Sequence, residues 1–261
     1  MTRRLAAVFA HPDDDTYSVA GTMALHAGED VRVIVVLATS GEAGQIADPS
    51  LASPENLGRV REREDVESWK EVGVPVEHHF LRFPDGGVAD VPAEELTGRI
   101  VEALRETRPD VVATFGPEGV TGHEDHIAAG LAATEAFHRL RRLRTEGGAG
   151  FRRLLYGSIP QSAMDRLAVE FRERGLEPPD PTEPFQPRGV PDERFGMSVD
   201  CSSVYERKLE ALRRHRTQGE MQDIPFDLWP EVLGREDFVV AWPDRDRGAP
   251  MLRDVFEGLP S

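Results

Sequence analysis

Two short runs, LAAVFA at 5–10 and VRVIVVLAT at 31–39, are β-branched and apolar, with Arg32 near the start of the second as the one charged position. A strand with one wet face alternates apolar and polar residues, so near-continuous runs predict strands covered on both faces. The helix-compatible YSVAGTMALHAG (17–28) between them makes the pair a parallel crossover unit. The alternation continues with helix 56–73, strand 76–83, helix 93–108, strand 110–116, helix 124–143 and strand 151–159. Such a series predicts an α/β chain folded as a three-layer sandwich with a mostly parallel sheet and right-handed crossovers. From 160 to 200 the pattern gives way to a proline-rich stretch with room for one short helix, expected to be a long irregular loop or lid. SSVYERKLEALRRHRTQ (202–218) then reads as a C-terminal helix and EDFVVAW (236–242) as a short terminal strand. One domain covering residues 1–261 is expected.

Charge narrows the partners. The chain carries 31 basic and 47 acidic residues, a net charge of −16, with no basic stripe. No nucleic acid and no anionic membrane surface is therefore expected as a partner. Cys201 is the sole cysteine, which excludes an intrachain disulfide and any multi-cysteine metal site. A bound metal must be held by His, Asp or Glu, a donor set that suits a catalytic ion. No secretory pattern or membrane-length apolar run is seen, so a cytoplasmic location is expected.

The chemistry-bearing segments follow two predicted strands. HPDDD (11–15) succeeds the first, and GPEGVTGHEDH (116–126) succeeds DVVATF. In open α/β sheets ligands sit beyond the carboxyl ends of the strands, so loops over 100 residues apart can meet there. Three adjacent carboxylates repel one another and ask for a cation or a catalytic task. His11, Asp14 and His126 offer two imidazoles and a carboxylate, leaving one position open for water, the arrangement of a hydrolytic zinc. The same set also accepts ferrous iron or another divalent ion. Pro12 biases His11 toward an extended backbone. Asp13 is a spare carboxylate able to act as a base, and His123, near Asp125, could be held as imidazolium to stabilise negative charge. Each segment has a structural alternative: Asp15 or Thr16 can cap the following helix, and GHEDH can be a polar helix cap. His26, His78, His79 and His138 fall within predicted helices or strands, where structural roles are expected.

AHPDDD, TSGEAGQ, VREREDVESWKEVGV, LRFPDGG, TGHEDHIAAG and KLEALRRHRTQ occur in the order found in the LmbE-like, or PIG-L, family of zinc-dependent N-acetylglucosamine deacetylases, which this chain resembles over most of residues 4–218. The resemblance implies a Rossmann-like sandwich with zinc on His11, Asp14 and His126. It further implies Asp13 as general base and later general acid, and His123 as the oxyanion-stabilising residue, oriented by Asp125. Arg61 and Asp85 resemble sugar-contacting positions; their structural alternatives are a solvated helix face shared with Glu64 and a simple turn. Lys208, His215 and Gln218 add a supportive pattern. The chain departs from the mycothiol-pathway members at Thr121, where they have tyrosine, and at Glu124, where proline is usual; Tyr17 is a candidate to supply the phenol.

The expected activity is hydrolysis of the N-acetyl group of an N-acetylglucosamine-type sugar, with a small amino-sugar substrate and, by analogy, a homo-oligomeric assembly. The alternatives are an amidase for larger N-acyl glucosaminides of the mycothiol-conjugate type, a metal-stabilised sugar-binding protein, and a phosphoesterase. The last is disfavoured by the lack of a second metal's ligands and of a phosphate loop.

Overall fold

The computed structural model describes residues 2–143, 150–219, 221, 224–246 and 248–260. Its elements run β1 (Arg3–Phe9), α1 (Asp14–Leu25), β2 (Val31–Leu37), α2 (Leu57–Val72), β3 (Val76–Phe80), α3 (Ala93–Arg105), β4 (Val111–Phe115), the short kinked α4 (Gly119–Gly122) and α5 (Glu124–Leu143). After these come β5 (Arg153–Gly157), β6 (Ile159–Pro160), α6 (Gln161–Glu173), β7 (Gly189–Val190), β8 (Met197–Asp200), α7 (Tyr205–Leu212), α8 (Trp229–Leu233) and β9 (Arg235–Trp242).

Seven strands form one sheet in the order β3-β2-β1-β4-β5-β9-β8. The first five are parallel, whereas β9 pairs antiparallel with both β5 and β8. The apolar runs behave as their composition requires: β4 and the last five residues of both β1 and β2 are fully buried between helical layers. Phe9 and Phe115, which end β1 and β4, meet edge to face at 4.8 Å. Helix α5 lies close over β4 because Gly130 has no side chain; a Cβ there would stand 2.7 Å from the Phe115 carbonyl oxygen.

The expected mostly parallel α/β sandwich is what forms, with three local differences. The 160–200 stretch is more ordered than a loop, since it contains the 13-residue α6 and strands β6, β7 and β8. Pro160, in the extended region at φ −60°, starts α6, and only Leu167 and Phe171 of that helix are buried. An (i, i+4) pair among polar neighbours makes too thin an apolar stripe to stand out in sequence. The C-terminal helix stops at Leu212, short of 218, and strand β3 stops at Phe80, short of 83. Among the described residues no helix is long and apolar enough to cross a membrane.

Candidate active site

Parallel pairing of β1 with β4, register Ala7 to Ala113, brings the ends of these strands level. His11 and the 116–126 segment therefore leave the sheet at the same edge. His11 is buried, and its backbone N–H donates to Asp14 Oδ2 at 2.7 Å, folding the HPDD turn onto itself at the start of α1. Between them Asp13 sits at φ 116°, a left-handed conformation that costs a non-glycine residue about 1–3 kcal/mol. Asp15 and Thr16 do not cap α1. Asp15 is fully buried and accepts the Trp69 indole N–H, while the Thr16 hydroxyl meets Ser68 Oγ at 2.9 Å and His215 Nε2 at 3.1 Å.

Hydrogen-bond partners set the tautomers of the two candidate ligand histidines. His126 Nδ1 lies 3.0 Å from the Gly119 carbonyl, which can only accept, so Nδ1 carries the proton and Nε2 keeps its lone pair. His11 Nε2 lies 3.0 Å from Asp85 Oδ1 and 3.3 Å from Asp125 Oδ2, so it donates to carboxylates, and in the neutral ring Nδ1 keeps its lone pair. Those two lone-pair nitrogens face each other at 3.2 Å. Asp14 Oδ2 stands 3.4 Å from His11 Nδ1, and Asp14 Oδ1 stands 3.5 Å from His126 Nε2. Three electron-rich donors so placed repel unless a cation lies among them. Ligands 2.0–2.1 Å from a tetrahedral ion lie about 3.3–3.4 Å apart, so the donor set fits a divalent ion of zinc's size. The His126 ring is clamped face to face on Phe115, 4.1 Å between centroids.

Electrostatics show how strongly this cluster favours positive charge. Burial opposes charge on His11, but the carboxylates of Asp125, Asp14 and Asp85 hold its pKa well above the usual histidine value. Burial would raise Asp14, yet the neighbouring His126 and His11 hold it well below the carboxylate range. Asp13 is the exception: burial pushes it up to about 7, against the pull of Arg61.

The other expected residues are all present, with contacts of their own. His123 is 5.0 Å from the His11 ring and stacks on His126 at the same separation. Its Nδ1 accepts the Asp125 backbone N–H at 3.1 Å, so the neutral ring carries its proton on Nε2. Burial and the charges of His11 and His126 lower its pKa, so the imidazolium expected from the sequence gives way to a neutral donor. The Asp125 carboxylate does not hold His123. It accepts the N–H groups of Gly86 at 2.7 Å and Val88 at 3.0 Å and faces His11. Asp85 likewise is more than a turn residue, because it accepts the Ala43 N–H at 2.8 Å and orients His11.

Arg61 is not on a solvated helix face: it is 4% exposed. Its guanidinium donates to the carbonyls of Pro12 at 2.6 Å and Gly41 at 3.0 Å, and to Asp13 Oδ2 at 3.2 Å. Glu64, its expected companion, instead accepts from Thr217. Thr121 lies in α4 beside Val120, whose φ of 61° kinks that turn, and Tyr17 is 39% exposed on the first turn of α1. The structural histidines pair elsewhere: His26 with Glu29 and Asp254, His78 with Asp65, His79 with Glu77, and His138 against Trp242. Phe185, whose ring lies tilted 4.8 Å from that of His123, comes from the proline-rich segment and carries no periodic or motif signal that could have marked it.

Residues 6–137 match the family model PIG-L, described as GlcNAc-PI de-N-acetylase. A 1D-myo-inositol 2-acetamido-2-deoxy-alpha-D-glucopyranoside deacetylase of Streptomyces scabiei is 31% identical, covering 98% of this chain and 90% of the relative. The protein of the same name from Kribbella flavida is 32% identical and covers 98% of each chain. Among solved structures, the conserved protein TT1542 of Thermus thermophilus superposes with a TM-score of 0.63 at 26% identity, over 94% of this chain and 97% of the other. The chain belongs to the PIG-L family of de-N-acetylases.

Proposed function

We propose that this chain is a metal-dependent N-deacetylase of an N-acetylglucosamine-type sugar. The observation that carries this reading is the convergence of the His11 Nδ1 and His126 Nε2 lone pairs with Asp14, beside the separate carboxylate of Asp13. A divalent ion of the zinc type held by these donors supplies Lewis-acid polarisation of the amide carbonyl and makes water more acidic. Asp13 takes the proton of the attacking water. A pKa near 7 lets it accept that proton and then give it up at neutral pH. Arg61 holds the Asp13 carboxylate and the Pro12 carbonyl before it, so the base keeps its aim. His123, protonated on Nε2, donates a hydrogen bond to the carbonyl oxygen as negative charge develops there. The carbon–nitrogen bond then breaks, Asp13 returns its proton to the leaving amine, and the products are acetate and the free amino sugar. The relatives' acetamido-glucopyranoside substrates support an amino-sugar amide as the substrate class.

The test is acetate release from N-acetylglucosaminides by metal-analysed protein, with and without chelator, beside Asp13→Asn. Chelation and D13N should each abolish turnover while D13N retains its metal. Full activity in metal-bearing D13N would remove Asp13 from the mechanism.

A further inference from the structure

The segment after α6 returns to the active site along an anchored path. Strands β6 and β7 pair in parallel, Ile159 with Gly189 and Pro160 with Val190, and the Arg188 backbone N–H donates to the Val120 carbonyl at 2.8 Å. Two side chains arrive there in unusual states. Phe185 is 64% exposed at φ 59°, strained for a bulky residue, and its ring leans on His123 at 4.8 Å and 39°. The Arg188 guanidinium lies on Gly122, next to His123; a Cβ at Gly122 would stand 2.3 Å from the guanidinium carbon. Glycine alone, at φ 76°, leaves that space.

No hydrogen bond or ion pair joins the Arg188 side chain to any described residue, and its Nε is buried without a partner. Arg139 and Arg174, by contrast, each grip two carboxylates. In a chain of net charge −16, a guanidinium left unpaired against Gly122, the residue before His123, is available for an anion that enters with the substrate.

We propose that Phe185 and Arg188 form the subsite for the substrate's aglycone, with the Phe185 face packing against a ring and Arg188 taking an anionic oxygen group, carboxylate or phosphate. This rests on the deacetylase reading of the adjoining site and deepens it, because it assigns a substrate class: acetamido sugars carrying an anion on the portion beyond the sugar. A charge-assisted hydrogen bond at such a position favours the anionic substrate over a neutral isostere by about 10- to 100-fold.

The experiment compares kcat/KM for three aryl N-acetylglucosaminides that differ only at the para position of the phenyl ring: carboxylate, phosphate and neutral methyl ester. Wild type should prefer at least one anionic compound at least tenfold, and which one identifies the anion. Arg188→Gln should bring that ratio close to one and Arg188→Lys should keep part of it, which a collapsed loop would not allow. Phe185→Ala should raise KM for all three with a smaller change in kcat. An unselective wild type, or an unchanged ratio in R188Q, would overturn the assignment. If wild type hydrolyses none of the compounds, the deacetylase reading fails on its own account. The same ratio measured as calorimetric Kd values for wild type and R188Q then decides the subsite: loss of anion preference in the variant supports it, and equal binding refutes it.

Discussion

The Lys208 ammonium and the Glu236 carboxylate lie 2.7 Å apart, each only 2% exposed, and both are spliced into the backbone of α1. Glu236 accepts the N–H groups of Gly21 at 2.8 Å and Thr22 at 2.7 Å, while Lys208 donates to the Tyr17 carbonyl at 2.8 Å. The pair thus joins β9 and α7 to the helix whose first turn carries Asp14. Removing one charge leaves the other buried without compensation, at a cost of about 3–5 kcal/mol. Lys208→Met should lower the denaturation midpoint accordingly, and the double variant K208M/E236Q should be more stable than K208M. If the double variant is the less stable of the two, the penalty lies in packing and not in unpaired charge.

Arg61 pulls the Asp13 carboxyl down against burial, which pushes it up to about 7. Asp13 must be deprotonated to act as base, so activity rises with pH through its pKa. Arg61→Gln removes the cation, raises that pKa, and should move the acidic limb of the kcat/KM profile to higher pH, with a loss at pH 7 on the order of tenfold or more. An acidic limb that stays in place in R61Q would mean that another group controls it.

How much of this was legible beforehand depended on the kind of signal. The near-continuous apolar runs at β1 and β2 declared a two-sided sheet, and HPDDD and GHEDH declared their position at strand ends, because both signals are local. Which nitrogen of His11 points where is decided by Asp85 from a loop and Asp125 from the first turn of α5, both far along the chain, so the sequence showed the residue types without their division of labour. Arg61 stands out by resemblance alone, with a solvated helix face as the alternative, because a helix rich in arginine and glutamate gives no sign of which one turns inward. Helix α6 was hidden by its thin apolar stripe, and Phe185 and Arg188 by a proline-rich stretch with no period at all.

His26, remote from these groups, makes stability depend on pH. Its ring nitrogens lie 2.8 Å from Asp254 and 3.0 Å from Glu29. Burial opposes its charge, but the two carboxylates raise its pKa above 6.5. A raised folded pKa means that the contribution is complete below the unfolded value of 6.5 and fades as pH climbs through the folded value. Both carboxylates are partly exposed, which limits the gain to about 1 kcal/mol. Wild type should therefore melt above His26→Asn at about pH 5.5, with the gap narrowing by about pH 9. A gap that is constant with pH would show that His26 acts by packing against Phe256 alone.

Asp85 separates two accounts of the same residue, a sugar contact and a support for His11. A metal-bound imidazole is aimed, and its basicity raised, by the carboxylate on its other nitrogen, and loss of that partner costs about 10- to 100-fold in metal affinity. Asp85 Oδ1 lies 3.0 Å from His11 Nε2, and Asp125 Oδ2 stands behind it at 3.3 Å. Asp85→Asn should therefore weaken zinc in a chelator competition by about tenfold, the lower end of that range because Asp125 remains. Asp85→Asn combined with Asp125→Asn should weaken zinc further. At saturating zinc, D85N should recover most of its turnover with little change in KM. If zinc affinity were unchanged while KM rose several-fold, the carboxylate would belong to the sugar site, and the aim of His11 would rest on Asp125 alone.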